Sequence, residues 1–354
     1  MRLMPRVSFI VPCYRLAHLL ADCVNSILSQ TFEDLEVLIM DDCSPDDTPR
    51  VAAAFTDPRV RYVRNEPNLG HLQNYNKGLS LARGEYLWLI SADDRLRRPY
   101  VVERFVKRMD ARRDAGYIFC PVMKFEGDRE TEVYGSRGNT DTVFEGHDFL
   151  RVLVAGNSVP APSGMVRRSC YEQISMFPLD LPFAADWFLW SAFALHMNVV
   201  YLAEPMVSYR VHTGNMTLDF KRRTDALVRD EIAVMWRMKA LAESVRAPAV
   251  ARRYRRAIAW YYATHVAFKI SRDWRLGMSL EDFDRSLAEQ CPSERERAFM
   301  RSVTYGFVAD QYYQADDAGR ARQWYRAALE QRPRDIKMRL KLLRSTRVAA
   351  MVGV

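Results

Sequence analysis

Two adjacent aspartates, Asp93 and Asp94, close the stretch Gly84–Asp94, GEYLWLISADD. Hard divalent cations take oxygen ligands and share them with a substrate's phosphates, so paired carboxylates at one point of a fold suit such a cation. The same pair also suits a turn and a helix cap, since aspartate is favoured in both. A second acidic cluster, Asp41-Asp42-Cys43-Ser44-Pro45-Asp46-Asp47, follows the apolar run Leu35–Met40. Pro12-Cys13-Tyr14 follows another, Val7–Val11, and reads as a loop. Farther on, Asp186 stands just before an apolar helical run. An aspartate there is an ideal N-cap, and a carboxylate fixed at a helix start can still face a cleft. His212, in Arg210-Val211-His212-Thr213-Gly214, reads by itself as an ordinary loop histidine.

These residues need elements to hold them. Val7–Val11, Leu35–Met40, Val60–Arg64 and Tyr86–Ile90 are short apolar runs bounded by polar residues, the pattern of strands buried on both faces. Between them, Leu16–Gln30, Thr48–Phe55 and Gln73–Ala82 have helical spacing. Strand and helix alternating at short intervals predict an α/β fold with a doubly wound, mostly parallel sheet. Ligands of such sheets gather at the carboxyl ends of the strands. Tyr14, Asp41/Asp42 and Asp93/Asp94 each lie just past a strand, so they share that edge.

Val101–Met109 reads as a basic amphipathic helix, Tyr117–Val122 as a strand and Gly146–Leu153 as a helix. Residues 124–147 read as polar and irregular, and Val199–Tyr201 and Pro205–Tyr209 as strand pieces. Beyond Phe220, Lys221-Arg222-Arg223 opens a region rich in helical signals. The expected division is therefore 1–220, α/β, and 221–354, all-α. Within the second part Tyr305, Val308, Ala309, Tyr312, Ala321, Tyr325, Ala328 and Pro333 fall at the spacing of one tetratricopeptide-like hairpin, about 303–335. One copy builds no solenoid; packing is its plain use and self-association (a homo-oligomer) a further one. The tail Gln331–Val354 carries seven Lys/Arg and one acid among apolar residues, a composition that suits either a solvated helix end or a peripheral contact with an anionic membrane.

The chain has 354 residues, 49% hydrophobic and 27% charged, which fits a globular protein of two domains. A net charge of +8 suits an anionic ligand or surface and argues little for nucleic acid. Six scattered cysteines without CxxC spacing read as buried free thiols of a reducing cytosol. The opening MRLMPRVSFIVPCY has too short an apolar run for a signal peptide, and no run of about 20 apolar residues would span a bilayer. The expected location is cytoplasmic, with a peripheral place at the inner membrane face open.

The ordered set VSFIVPCYR, DDCSPDD, NLGHLQNYNKG and ARGEYLWLISADD, followed by Asp186 and the YRxH loop at Tyr209–His212, resembles the nucleotide-binding half of GT-A inverting glycosyltransferases of family 2, over residues 6 to about 217. The resemblance implies a metal-dependent enzyme moving sugar from a nucleotide-diphospho-sugar, with a UDP-sugar the expected donor, to an acceptor hydroxyl on a saccharide or lipid-linked saccharide. It implies that Pro12, Tyr14, Asp41, Asp42, Asn68, Lys77 and Asp93 hold the donor nucleotide. Asp94, with Asp93 and His212, would hold Mn2+ or Mg2+, and Asp186 would be the catalytic base. Three positions depart from the family pattern: Ser91 and Ala185 replace acids common there, and Tyr75 replaces an arginine. A non-catalytic nucleotide-sugar-binding scaffold is the rival reading, resting on Ala185. A nucleotidyltransferase would need a Gly-rich basic loop after the first strand, which Pro12-Cys13-Tyr14-Arg15 is not, and the chain has neither GxGxxG nor GxxxxGK[ST].

Overall fold

The computed structural model describes residues 4–127, 129–216, 224–273 and 277–352. Thr217, Phe220, the Lys221-Arg222-Arg223 run, the first three residues and the last two lie outside the described residues. The chain divides into two compact units, Met1–Arg222 and Arg223–Val354.

The first unit begins β1 (Val7–Cys13), α1 (Ala17–Leu28), β2 (Leu35–Asp41), α2 (Thr48–Ala53), β3 (Val60–Arg64), α3 (His71–Leu81), β4 (Tyr86–Leu89), β5 (Arg95–Leu96) and α4 (Val101–Asp110). It continues β6 (Ala115–Phe119), β7 (Val122–Glu126), β8 (Arg129–Tyr134), β9 (Thr142–Phe144), α5 (Gly146–Leu153), β10 (Met165–Arg167), α6 (Arg168–Gln173), α7 (Ala185–His196), β11 (Asn198–Tyr201) and β12 (Val207–Arg210). An eight-stranded sheet runs β3-β2-β1-β4-β10-β6-β11-β9, and a four-stranded sheet runs β5-β12-β7-β8. The first four strands of the large sheet are parallel, while β10 and β9 enter antiparallel. Every residue of β1 and β2 is buried, as strands covered by helices on both faces must be. Trp88 fills the centre, its ring 5.2 Å from Phe9 and 4.5 Å from Phe105.

Four local expectations change. Pro12 and Cys13 belong to β1, paired with Met40 and Asp41, instead of a loop. Proline is tolerated here because its carbonyl accepts from Ala92 N–H. Its missing N–H faces that same side, past Leu89 where β4 has ended. Tyr117–Val122 is broken at Cys120-Pro121, so that β6 lies in the large sheet and β7 in the small one. Residues 124–147, read as irregular, contain the β7–β8 hairpin and β9. All six residues of β8 are exposed, so no apolar alternation marks it. Asp186 lies inside the first turn of α7, and Ala184 is the N-cap.

The second unit is helical among its described residues: α8 (Thr224–Ser244), α9 (Pro248–Arg272), α10 (Leu280–Gln290), α11 (Glu294–Gln314), α12 (Ala318–Gln331) and α13 (Ile336–Val352). Ala309, Ala321, Tyr325, Ala328 and Met338 form a small core where α11, α12 and α13 pack. The Tyr325 hydroxyl donates to Asp310 at 2.7 Å. On α13, Ile336, Leu340 and Leu343 remain exposed. No described helix is long and apolar enough to cross a membrane.

One polar cluster interrupts the apolar sheet of the first unit. Glu36, 2% exposed in β2, accepts from Ser8 Oγ at 2.7 Å, Arg83 N–H at 2.8 Å and Arg83 Nε at 2.9 Å. Burial raises the Glu36 carboxyl, but the hydrogen bonds from Arg83 and Ser8 outweigh it and hold the group below its ordinary value. Its stabilising contribution is therefore present above the ordinary carboxylate range and lost as pH falls below it. Ser8 Oγ also accepts from Gly84 N–H at 2.7 Å. A Cβ on Gly84 would sit 2.6 Å from Ser8 N, so only glycine fits. Glu36→Ala strands these donors and is expected to cost about 3 kcal/mol in urea unfolding. Arg61→Ala, whose guanidinium stands 3.6 Å from Glu36, should cost less than about 1 kcal/mol in the same measurement.

Candidate active site

Parallel pairing of β1 with β2 and β4 brings Tyr14, Asp41/Asp42 and Asp93/Asp94 to one edge of the sheet. Beyond that edge the carboxylates divide sharply by what already binds them.

Asp41 is fully buried and saturated. Its Oδ2 accepts from Tyr62 Oη at 2.5 Å and Arg64 Nη1 at 2.6 Å, and its Oδ1 from Ser44 N–H at 2.8 Å. Asp42 clamps the 65–70 loop: Oδ1 accepts from Asn65 Nδ2 at 3.0 Å and Leu69 N–H at 2.8 Å, Oδ2 from Gly70 N–H at 2.9 Å. Asn68 Nδ2 donates to the Asp42 carbonyl at 2.6 Å, and Lys77 Nζ to Asn65 Oδ1 at 2.7 Å. Asn74 joins Asn65 at 2.8 Å and donates to the Met40 carbonyl at 2.9 Å. Asp46 accepts from Thr48, from Ala17 N–H at the start of α1, and from Ser44. Burial opposes ionisation there, yet these bonds hold its carboxyl down at about 2. Tyr14 is 43% exposed, with the Arg15 guanidinium 5.2 Å from its ring centre.

Asp93 and Asp94 are buried but less completely paired. Asp93 Oδ2 faces His212 Nε2 at 3.0 Å and Asn215 Nδ2 at 3.3 Å, while its Oδ1 is buried without a hydrogen-bond partner. Asp94 Oδ1 accepts from Arg210 N–H at 2.9 Å. Burial, then the neighbouring Asp93 charge, pushes the Asp94 carboxyl well above its usual range. The His212 Nδ1 accepts from Gly214 N–H at 3.2 Å, which leaves Nε2 as the proton-bearing nitrogen that donates to Asp93. Among the described residues no group of three or more His, Cys, Asp or Glu is arranged to hold a metal ion. The orphaned Asp93 oxygen beside a destabilised Asp94 anion is nevertheless a pair that a hard cation would relieve, so these two residues fit one whose remaining ligands come from outside the protein.

Asp186 accepts from Asn157 Nδ2 at 2.8 Å and Trp187 N–H at 2.7 Å, and no ion pair to it occurs among the described residues. Burial raises its carboxyl. Tyr75, on α3, packs edge-on against His71 and Phe177. Burial raises its phenol far above the ordinary value, and the charges of Asp93, Asp186 and Asp94 raise it further. Sequence reasoning singled out the acids but not their holders Tyr62, Arg64, Asn65, Asn157 and Asn215. Asn74 lies in a quoted motif, whereas Asn157 carries no local signal at all.

Comparison with known proteins gives the family. The family model Glycosyl transferase family 2 matches residues 8–169. A Campylobacter jejuni GalNAc(5)-diNAcBac-PP-undecaprenol beta-1,3-glucosyltransferase is 32% identical over 232 residues, 61% of this chain and 73% of the relative. The chain belongs to glycosyltransferase family 2. Members of glycosyltransferase family 2 are transferases that draw on nucleotide-sugar donors, and the first unit has the GT-A architecture, followed by a helical region. An uncharacterized glycosyltransferase of Haemophilus influenzae is 26% identical over 220 residues, 60% of this chain and 67% of the relative. With a Rhizobium meliloti succinoglycan biosynthesis protein the match spans only 30% of the relative. The fold also superimposes on S. aureus TarS 1–349 in complex with UDP-GlcNAc, with a TM-score of 0.63, 19% identity and 90% of each chain covered.

The Asp42 clamp has a direct readout in this family 2 chain. Hydrogen bonds to a charged acceptor contribute about 1.5–3 kcal/mol each. Asp42→Ala is expected to speed amide hydrogen exchange at Leu69 and Gly70 by about tenfold or more, with exchange in β1 unchanged.

Proposed function

We propose that this protein is an inverting glycosyltransferase that moves a sugar from a nucleotide-diphospho-sugar, a UDP-sugar in our reading, to a hydroxyl of a saccharide or lipid-linked saccharide. The observation that carries the proposal is the buried pair Asp93 and Asp94 at the carboxyl edge of the sheet, with one Asp93 oxygen unpartnered. The undecaprenol-linked substrate in the name of the Campylobacter relative supports the lipid-linked acceptor. The UDP-GlcNAc complex of a protein with the same fold supports a UDP-sugar donor.

In this proposal Pro12, Tyr14 and the shelf built by Asp41, Asp42 and Asn68 receive the nucleoside, and Lys77 lies toward the diphosphate. Asp93 and Asp94 would hold Mn2+ or Mg2+. When bound, such a cation neutralises charge on a departing diphosphate. His212 and Asn215 orient Asp93 through its Oδ2, and the Arg210 backbone orients Asp94. Asp186 deprotonates the acceptor hydroxyl, which attacks the anomeric carbon from the face opposite the leaving diphosphate and inverts the linkage. Its two hydrogen bonds fix the carboxylate, and burial raises its basicity toward working pH.

Asp186→Asn is expected to lower kcat for transfer by about 10^2–10^4 with donor affinity unchanged, as measured by product formation and by calorimetric titration of donor. In the unmodified enzyme, a base must be ionised to act, so kcat/KM should fall with decreasing pH through a midpoint above the ordinary carboxylate range, and Asp186→Asn should abolish that limb. Asp94→Ala, or EDTA, should instead weaken the donor. Full transfer by Asp186→Asn would remove Asp186 as the base, whereas donor binding without any transfer by the unmodified protein would leave the scaffold reading in place.

The same proposal includes a peripheral place at an anionic membrane, supported by exposed Ile336, Leu340 and Leu343 beside Lys337, Arg339 and Arg344 on α13. Replacing the three apolar residues by aspartate should reduce pelleting with phosphatidylglycerol vesicles by about tenfold. Unchanged pelleting removes this face from the proposal.

A further inference from the structure

The helical unit contains a cavity of about 420 Å³ between the end of α8 and the starts of α9 and α11. Five basic side chains line it (Lys239, Arg246, Arg252, Arg255 and Arg295) against two acids, Glu243 and Glu296. The acids are already committed. Lys239, 8% exposed, lies 3.0 Å from Glu243 and 3.2 Å from Glu296, and Arg255 Nε lies 3.4 Å from Glu296. No carboxylate pairs with Arg246, Arg252 or Arg295 among the described residues, so the cavity keeps a clear excess of positive charge. The Arg255 guanidinium is fixed over the Phe299 ring, 4.0 Å from its centre, and its Nε is buried without an acceptor of hydrogen-bonding geometry.

The backbone adds to this field. Helix α9 is 25 residues long, its N-cap is Ala247, no side chain caps it, and no acid lies in its first turn. The partial positive charge of that terminus therefore stays uncompensated at the cavity wall. The start of α11, on the same wall, differs: Ser293 caps it, and Glu294 and Glu296 answer its dipole. Guanidinium groups offer forked donors that match phosphate oxygens, and they are less strongly hydrated than ammonium. The volume has room for a phosphate or diphosphate group together with part of the molecule that carries it.

We propose that this cavity is a second anion site, in the helical unit, for a phosphate- or diphosphate-bearing ligand. The same chemistry is offered by a soluble phosphate ester and by the headgroup of an anionic lipid.

The full-length protein in EDTA is titrated calorimetrically with inorganic pyrophosphate, and its pelleting with phosphatidylcholine vesicles containing phosphatidylglycerol is measured in parallel. Both are repeated with Arg252→Glu/Arg295→Glu, two exposed positions whose reversal leaves the core intact. A match of thermal midpoints confirms that the variant is folded; a mismatch is answered with Arg252→Ala/Arg295→Ala. Pyrophosphate binding weakened about tenfold or more in the variant, and unchanged in Asp94→Ala, is the expected result and identifies a soluble ligand. Weak pyrophosphate binding with vesicle pelleting lost in the variant supports the site and assigns it to a lipid headgroup. Absence of both kinds of binding, or equal binding by the variant, overturns the proposal.

Discussion

The constraint on which the first unit depends is that β1, β2 and β4 lie parallel and are covered on both faces. A strand in that position leaves almost no room for polar side chains along its length. Polar chemistry is thereby pressed to the strand ends, and parallel pairing makes those ends coincide. The single exception, Ser8–Glu36–Arg83, is satisfied bond by bond. That completeness is the condition on which a buried charge is tolerated so close to Phe9 and Trp88.

At the carboxyl edge the same residue type does two different jobs. Asp41, Asp42 and Asp46 accept hydrogen bonds from nearby backbone and side chains and so give the loops their shape. Asp93, Asp94 and Asp186 retain unanswered oxygen or unanswered charge. The difference lies in the backbone around them. Asp41 and Asp42 are answered by β3 and the 65–70 loop, within 28 residues, whereas Asp93 and Asp94 receive support chiefly from the 210–215 segment, at least 116 residues on.

This division also explains what could be read from the chain alone. Runs such as VSFIV, LEVLIM and YLWLI announce buried strands because apolar content and burial coincide, and acids just past them mark the working edge. The β7–β8 hairpin was illegible because β8 is exposed along its whole length and has no alternation to detect. Pro12 inside β1 depends on where β4 stops, a non-local fact. The position of Asp186 within α7, not at its cap, is set by the Leu181–Ala184 turn, and Asn157 reaches it across 29 residues. The network of Asn65, Asn74 and Lys77 is likewise invisible without the fold, although two of its members sit in a recognisable motif.

The exposed strand β8 has a consequence of its own. It forms the outer margin of the four-stranded sheet, where unpaired backbone groups would invite a strand from another molecule. Its sequence RETEVY presents charge at Arg129, Glu130 and Glu132, and two of these are tied down, Glu130 to Arg97 and Glu132 to Lys124. An incoming strand would have to strip water from those charges and break their pairings before gaining a single backbone bond. This edge of the sheet is thus guarded against runaway strand addition, the hazard that a bare apolar edge would carry.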